Sequence, residues 1–185
     1  MLKGRLESPK IIGSSEEFTI IGENIHATRV VLRNGRRALT LDDGVEAVRY
    51  KGEFGDNRYL RLPDWFKKTQ AYEQGQIKHF LIAMMNGIGG DSSAKAEATD
   101  YVHQEVRRQA AAGATYLDIN VDEVHYDLET QMKCMRWAVD TVQEVSPVPL
   151  SIDSSKTEII AAGLEVYDGR VGRPLVNSIA LERLD

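Results

Sequence analysis

Along the second half of the chain, the spacing of apolar and polar residues switches repeatedly between a helical and a strand period. Ala94, Ala98, Tyr101 and Val102 recur at helical intervals, and Glu105 and Gln109 continue a mixed face. Ser92 and Ser93 stand ahead of Ala94 as caps for a helix beginning there, and Gly113 is placed to stop it in a left-handed conformation. TYLDINV, residues 115–121, reads as a strand. From about Asp127, Leu128, Met132, Met135, Val139 and Val142 return to one helical side, and Pro147 ends that helix because it cannot continue it. VPLSID, residues 148–153, is the next strand. Ser155 and Glu158 have capping-box spacing for a third helix to about Val166, and PLVNSIA, residues 174–180, reads as another strand.

Helix-length connections between short apolar strands predict parallel pairing and an α/β layer structure. EFTIIGENI, residues 17–25, supplies a strand ahead of this series. The predicted strand ends then carry Glu23 and Asn24, Asp118 and Asn120, Asp153, and Asn177. Parallel α/β folds bind ligands at the carboxyl ends of their strands, so polar residues gather where such a fold keeps its site.

Residues 27–93 interrupt the repeat. RNGRR, residues 33–37, has the Asn-Gly signal of a tight hairpin, and LTLDDGVEAVRY with NRYLRLP extends a small β element. A helix capped by Asp64 is expected before a strand-like HFLIAMM, followed by the flexible glycine loop NGIGGD at 86–91. A segment this long is expected to be an insertion with its own structure within a single domain spanning residues 1–185.

The 185 residues suffice for one domain with a real core, and 42% hydrophobic content suits a folded protein. A net charge of −5 argues against a general nucleic-acid binder. No run approaches the roughly 20 apolar residues of a membrane span, and MLKGRLESPK has no apolar signal-peptide core. Cys134, the only cysteine, excludes an internal disulfide, and a cytoplasmic location is the default expectation.

An Asp on a rigid strand end can accept two parallel hydrogen bonds from an N–H beside an exocyclic amine. An Asn offers both a donor and an acceptor. Asp153, Asn120 and Asn177 together therefore suit a flat polar heterocycle such as a pterin. The competing reading is that each caps a helix or a turn, as these residue types often do.

GENIHATR, GATYLDINVDE, VPLSIDSSKTEIIAAGLE and PLVNSIALE resemble, in order, four motifs of the pterin-binding methyltransferases of the dihydropteroate synthase-like superfamily. The nearest likeness is to methyltetrahydrofolate:corrinoid methyltransferases and to the folate domain of cobalamin-dependent methionine synthase. It covers residues 17–26 and about 95–182. The resemblance implies a TIM-type (β/α)8 barrel, here partial, with about four of the family's strands. It further implies transfer of the N5 methyl of methyltetrahydrofolate to cobalamin on a partner corrinoid protein. Asp153 and Asn177 match pterin contacts, Asn120 a strand-end Asn of the site, Asp118 its neighbour, and Glu23 the acid of the first-strand motif. By the same resemblance Asn177 and Asn120 are the catalytic candidates. That first motif usually reads GERIN, and Asn24 and His26 stand here in place of its Arg and Asn.

A full barrel of this type needs eight strands and about 250 residues. A half barrel leaves open strand edges, so a homodimer is expected. A dihydropteroate synthase-like enzyme and a non-catalytic pterin-binding or assembly module are the alternatives.

The remaining candidates are weaker. His26, His79, His103 and His125 lack metal-site spacing, although His26 and His125 follow strand ends. Cys134 reads as a packed helical thiol, and Met84 and Met85 as core. NGIGGD lacks a phosphate-loop lysine. Ser154, Ser155 and Lys156 could meet an anion at a helix N-terminus, with Ser155 as cap the simpler account.

Overall fold

The computed structural model describes residues 18–178. Its elements in chain order begin with β1 (Ile21–His26), β2 (Val30–Leu32), β3 (Ala38–Thr40), β4 (Glu46–Lys51) and β5 (Asn57–Arg61). They continue with α1 (Gln70–Glu73), β6 (Gln76–Lys78), α2 (His79–Ile88) and α3 (Ser92–Ala111). Then β7 (Tyr116–Asn120), α4 (Leu128–Gln143), β8 (Leu150–Asp153), α5 (Thr157–Val166) and β9 (Leu175–Asn177) complete the series. Glu17 and residues 179–182 of the sequence motifs lie outside the described residues.

The main sheet has four strands in the order β1-β7-β8-β9, all parallel, so spatial order follows chain order. Its helix-facing positions are apolar: Leu117, Ile119, Leu150 and Ile152 are fully buried. The inward stripe of α4, including Cys134, Met135, Ala138, Val139 and Val142, is buried with them. This is a mixed α/β architecture with a parallel sheet, as a partial barrel of the expected type would have. Gly113 ends α3 at φ 95°, the left-handed conformation expected of it.

Several local expectations are corrected. The helix expected from Asp64 is a short 3-10 turn, Phe66–Lys68, ahead of α1, which the Thr69 side chain caps. Asn86, Gly87 and Ile88 of the expected glycine loop belong to α2. HFLIAMM is the helix α2, not a strand, and His79 through Met84 are all buried. A helix that is apolar on every side packs in the interior, and α2 lies among α3, α4 and β1. At close quarters, a Cβ on its Gly87 would lie 2.1 Å from the Trp137 ring.

The cap of α3 is Asp91, whose carboxylate accepts from the N–H groups of Ser93 and Ala94, so Ser92 is already helical. The Asn34-Gly35 pair does turn the chain, with Gly35 N–H donating to the Leu32 carbonyl at 2.8 Å. It makes no hairpin, however, because the strands on either side pair elsewhere. β2 pairs antiparallel with β6, and β3 joins β4 and β5 in an antiparallel meander.

Between β1 and α3, residues 27–91 thus form two small antiparallel sheets and the core helix α2. They are tied to α3 by a buried polar chain. Tyr101 OH lies 2.8 Å from His79 Nδ1 and accepts from Arg37 Nη2 at 2.7 Å. Arg37 also reaches the Glu105 carboxylate at 3.1 Å. Burial, reinforced by the Arg37 and Arg108 charges, pushes His79 down to about 3, so its imidazole is neutral.

Candidate functional site

Strand register aligns four polar residues across the carboxyl end of the parallel sheet. His26 pairs with Asn120, Asn120 with Asp153, and Asp153 with Asn177. One residue back along each strand, Ile25, Ile119, Ile152 and Val176 form the next row. The alternation of a strand sends those apolar side chains to the opposite face. Two residues back, Asp118 pairs with Ser151. On β1 the register shifts between Gly22 and Ile25. An extra residue of this kind lets Glu23 and His26, three positions apart, face the same side.

Glu23, His26, Thr28, Arg29, Asp118 and Asp153 line a cleft of about 440 Å3 at this end. The Arg29 guanidinium folds back on β1 and donates to the Glu23 carbonyl from Nε (3.0 Å) and Nη2 (2.6 Å). Thr28 N–H donates to His26 Nδ1 at 3.1 Å, which assigns the proton of a neutral His26 ring to Nε2.

Asn120 is buried, and its amide is engaged at both ends. Nδ2 donates to Asp153 Oδ2 at 2.8 Å, and Oδ1 accepts from Asp122 N–H at 3.0 Å. Asp153 is thereby held through Oδ2, and it lines the cleft. Asp118 is 3% exposed. Burial pushes its carboxyl up to about 6, the neighbouring Asp153 and Glu23 charges add to this, and the Ser151 hydroxyl offsets only part. Neither Asp118 Oδ1 nor Ser151 Oγ has a hydrogen bond of good geometry among the described residues. An unsatisfied buried carboxyl oxygen in a cleft wall is a group with a bond still to make.

Asp122 organises the neighbouring loop. Its carboxylate accepts from Ser154 Oγ at 2.5 Å and from Ser155 N–H at 2.8 Å, and these bonds hold it below the ordinary carboxylate range despite burial. The expected Ser155 cap is therefore corrected. The cap position of α5 is Lys156, with no side-chain cap bond, and Asp122 from the β7–α4 connection takes the donors ahead of the helix. An anion does sit at this loop, but it is the protein's own. Lys156 Nζ turns away to Gln131 Oε1 at 2.7 Å.

The structure brings Asp118, Asp153 and Glu23 together around one cleft. Asn120 stands behind Asp153 and is not among the lining residues. Asn177 is exposed on the last strand, where its main-chain carbonyl accepts from Ser154 N–H at 2.9 Å. Sequence reasoning gave too little weight to His26, and it missed Thr28, Arg29 and Asp122. The His26–Asn120 register is the signal that places His26, and it exists only in the paired sheet. Asp122 follows LDIN directly, and an acid just past a strand end is a fair candidate for a loop brace.

Elsewhere, His125 stacks on the exposed Tyr126 at 4.3 Å, and His103 reaches Glu144 at 3.1 Å. Burial pushes the Cys134 thiol up to about 12, so it is packed and inert at neutral pH. Among the described residues, no group of three His, Cys, Asp or Glu is placed to hold a metal ion, and no helix is long and apolar enough to cross a membrane.

The model of a protein family described as Pterin binding enzyme matches residues 89–185, more than half of the chain. The matched stretch contains α3, β7, α4, β8, α5 and β9, hence Asp118, Asn120, Asp153 and Asn177.

Proposed function

The chain belongs to the pterin-binding enzyme family, and on that premise we propose that the strand-end cleft takes the pterin head of methyltetrahydrofolate for methyl transfer from N5 to a corrinoid on a partner protein. The observation that carries this reading is the pair of carboxyls on one wall. Asp153 is fixed through Asn120, and Asp118 is buried with an oxygen, Oδ1, that has no hydrogen bond of good geometry among the described residues.

A fixed carboxylate matches the edge of a pterin where a ring N–H lies beside an exocyclic amine, and charge assistance makes the paired bonds directional. Asp153 fills that role, with Asn120 as its positioning residue. Asn177, in register with Asp153, extends the same row toward the ring. Asp118, with its carboxyl near 6, is partly protonated in mildly acidic solution and can hold or give a proton beside the ring. Glu23 and His26 close the opposite wall.

The N5 methyl leaves as the C–N bond breaks and its electron pair stays on nitrogen. Hydrogen bonding that favours positive character on N5, and exclusion of water, lower that barrier. The reduced corrinoid supplies the nucleophile that takes the methyl group. The chain's own residues bind and orient the donor.

Two structural proposals accompany this reading. Residues 27–93 are an insertion that leaves the parallel sheet intact. The outer strands β1 and β9 each have one unpaired edge among the described residues, which favours a homodimer.

Isothermal titration of methyltetrahydrofolate into the protein, with its mass in solution, tests the reading. Saturable binding followed by methyl transfer to cob(I)alamin is expected. Absence of binding to a folded chain overturns the pterin assignment. Binding without transfer overturns the methyl-transfer step.

A further inference from the structure

A second cleft, of about 620 Å3, lies between the antiparallel meander and the second half of α3, and shares no lining residue with the first. On β4, strand alternation turns Val48 and Tyr50 inward and exposes Arg49 and Lys51. On α3, Gln104, Arg107 and Arg108 stand at i, i+3 and i+4 and so share one face. The aromatic body of Tyr50 contributes to the wall between them, packed edge-on against Tyr101 at 4.9 Å.

The charge balance here is opposite to that of the chain. The whole sequence carries −5, yet this cleft is lined by Arg37, Arg49, Lys51, Arg107 and Arg108 against only Glu53 and Glu105. Glu105 is fully occupied, because Arg37 reaches it at 3.1 Å and Arg108 grips it from Nε (3.0 Å) and Nη2 (2.5 Å). Glu53 approaches Arg107 no nearer than 3.9 Å. Among the described residues, Arg49 and Lys51 donate from their side chains to main-chain carbonyls, those of Arg36 at 2.9 Å and Gly55 at 3.1 Å.

Two cations, Arg49 and Lys51, therefore face a concave space with no ion-paired carboxylate among the described residues, and Arg107 beside them has only the long 3.9 Å contact to Glu53. Like charge gathered in a cleft with low-dielectric walls focuses field on an incoming anion. Guanidinium forks beside an ammonium suit the oxygens of a phosphate, and the Gln104 amide adds a neutral donor and acceptor. The volume falls within the range of small-molecule sites, and the Tyr50 ring with the aliphatic stems of the cations offers apolar contact to an organic body.

We propose that this cleft binds a small phosphate-bearing organic anion of nucleotide size, independently of the pterin cleft.

The probe is ADP, titrated calorimetrically at low salt into the intact protein and into the double variant Lys51→Ala/Arg107→Ala. Saturable one-to-one binding is expected, weakened roughly tenfold per cation removed, as loss of a charge-assisted bond predicts. Lys51→Ala alone, on an exposed strand position, provides the same comparison should the double variant fold poorly. Asp153→Asn controls for entry of ADP into the other cleft, and its ADP affinity is expected to match that of the parent. No saturable binding at millimolar ADP, unchanged affinity in a folded Lys51→Ala or double variant, or equal loss in Asp153→Asn would each overturn the assignment.

Discussion

Asn120 donates from Nδ2 to Asp153 Oδ2 at 2.8 Å across adjacent parallel strands, in the register that places the two residues side by side. The bond fixes one carboxylate oxygen and, through Asn120 Oδ1, ties it to the Asp122 main chain. If Asp153 reads the pterin edge, Asp153→Asn lowers methyltetrahydrofolate affinity by roughly 1.5 to 3 kcal/mol with the fold intact, the scale of a hydrogen bond to a charged group. Asn120→Ala lowers it by about 1 kcal/mol, since it removes orientation and no ligand contact. Titration calorimetry of both variants decides, and an unaltered Asp153→Asn affinity removes Asp153 from the site.

Asp118 makes the protein less stable as it ionises. Its folded carboxyl is raised to about 6 from the ordinary 3.8, so the folded state binds more protons between these values. The stabilisation from this group is present at low pH and is lost as pH rises through about 6. Asp118→Asn is expected to raise unfolding free energy at pH 7 by roughly 2 to 3 kcal/mol relative to the parent, and not at pH 3.5. Denaturant melts at the two pH values measure the difference, and a gain equal at both would show that ionisation is not its cause.

His79 acts in the opposite direction. Burial lowers it to about 3 from 6.5, so the unfolded chain binds the extra proton between those values. Stability from the neutral ring is complete above pH 6.5 and declines as pH falls toward about 3. His79→Gln keeps a polar side chain beside Tyr101 and should flatten this acid-side slope. An unchanged slope would assign the acid sensitivity to other groups.

Gly87 leaves no room for a side chain. With its would-be Cβ 2.1 Å from the Trp137 ring, Gly87→Ala must displace the ring or the helix, at a cost of about 1 to 3 kcal/mol. Thermal unfolding should show a lower midpoint. Gly87→Ala paired with Trp137→Leu should recover part of the loss, and no recovery would point away from the ring.

Where one face of an element is buried and the other is not, the sequence was readable. α4 follows from Leu128 through Val142 because period and burial coincide, and β7 follows from TYLDINV because apolar and polar residues alternate there even though both of its faces are buried. HFLIAMM carries no such contrast: a helix buried on all sides and a buried strand present the same apolar run. Asp118, Asp153 and Glu23 could be named because strand ends are visible in the pattern. The failure at Ser155 has a different origin. Its backbone donor is taken by Asp122, 33 residues earlier, and such a long-range partner leaves no local trace. The coupling of Asn120 to Asp153 and the placing of His26 likewise depend on register, which is set only when the strands pair.

The parallel sheet joins chain segments at very unequal distances. Asn120 and Asp153 are 33 residues apart, whereas Ile20 and Thr115, bonded where β1 meets β7, are 95 apart. Closing the longer loop costs more chain entropy, and compaction of the intervening meander and α2 shortens it. The β7–β8 wall can assemble early as a local unit, with β1 arriving late. Glu23 and His26 come with it, so the cleft is expected to acquire its second wall only after the β7–β8 wall has formed.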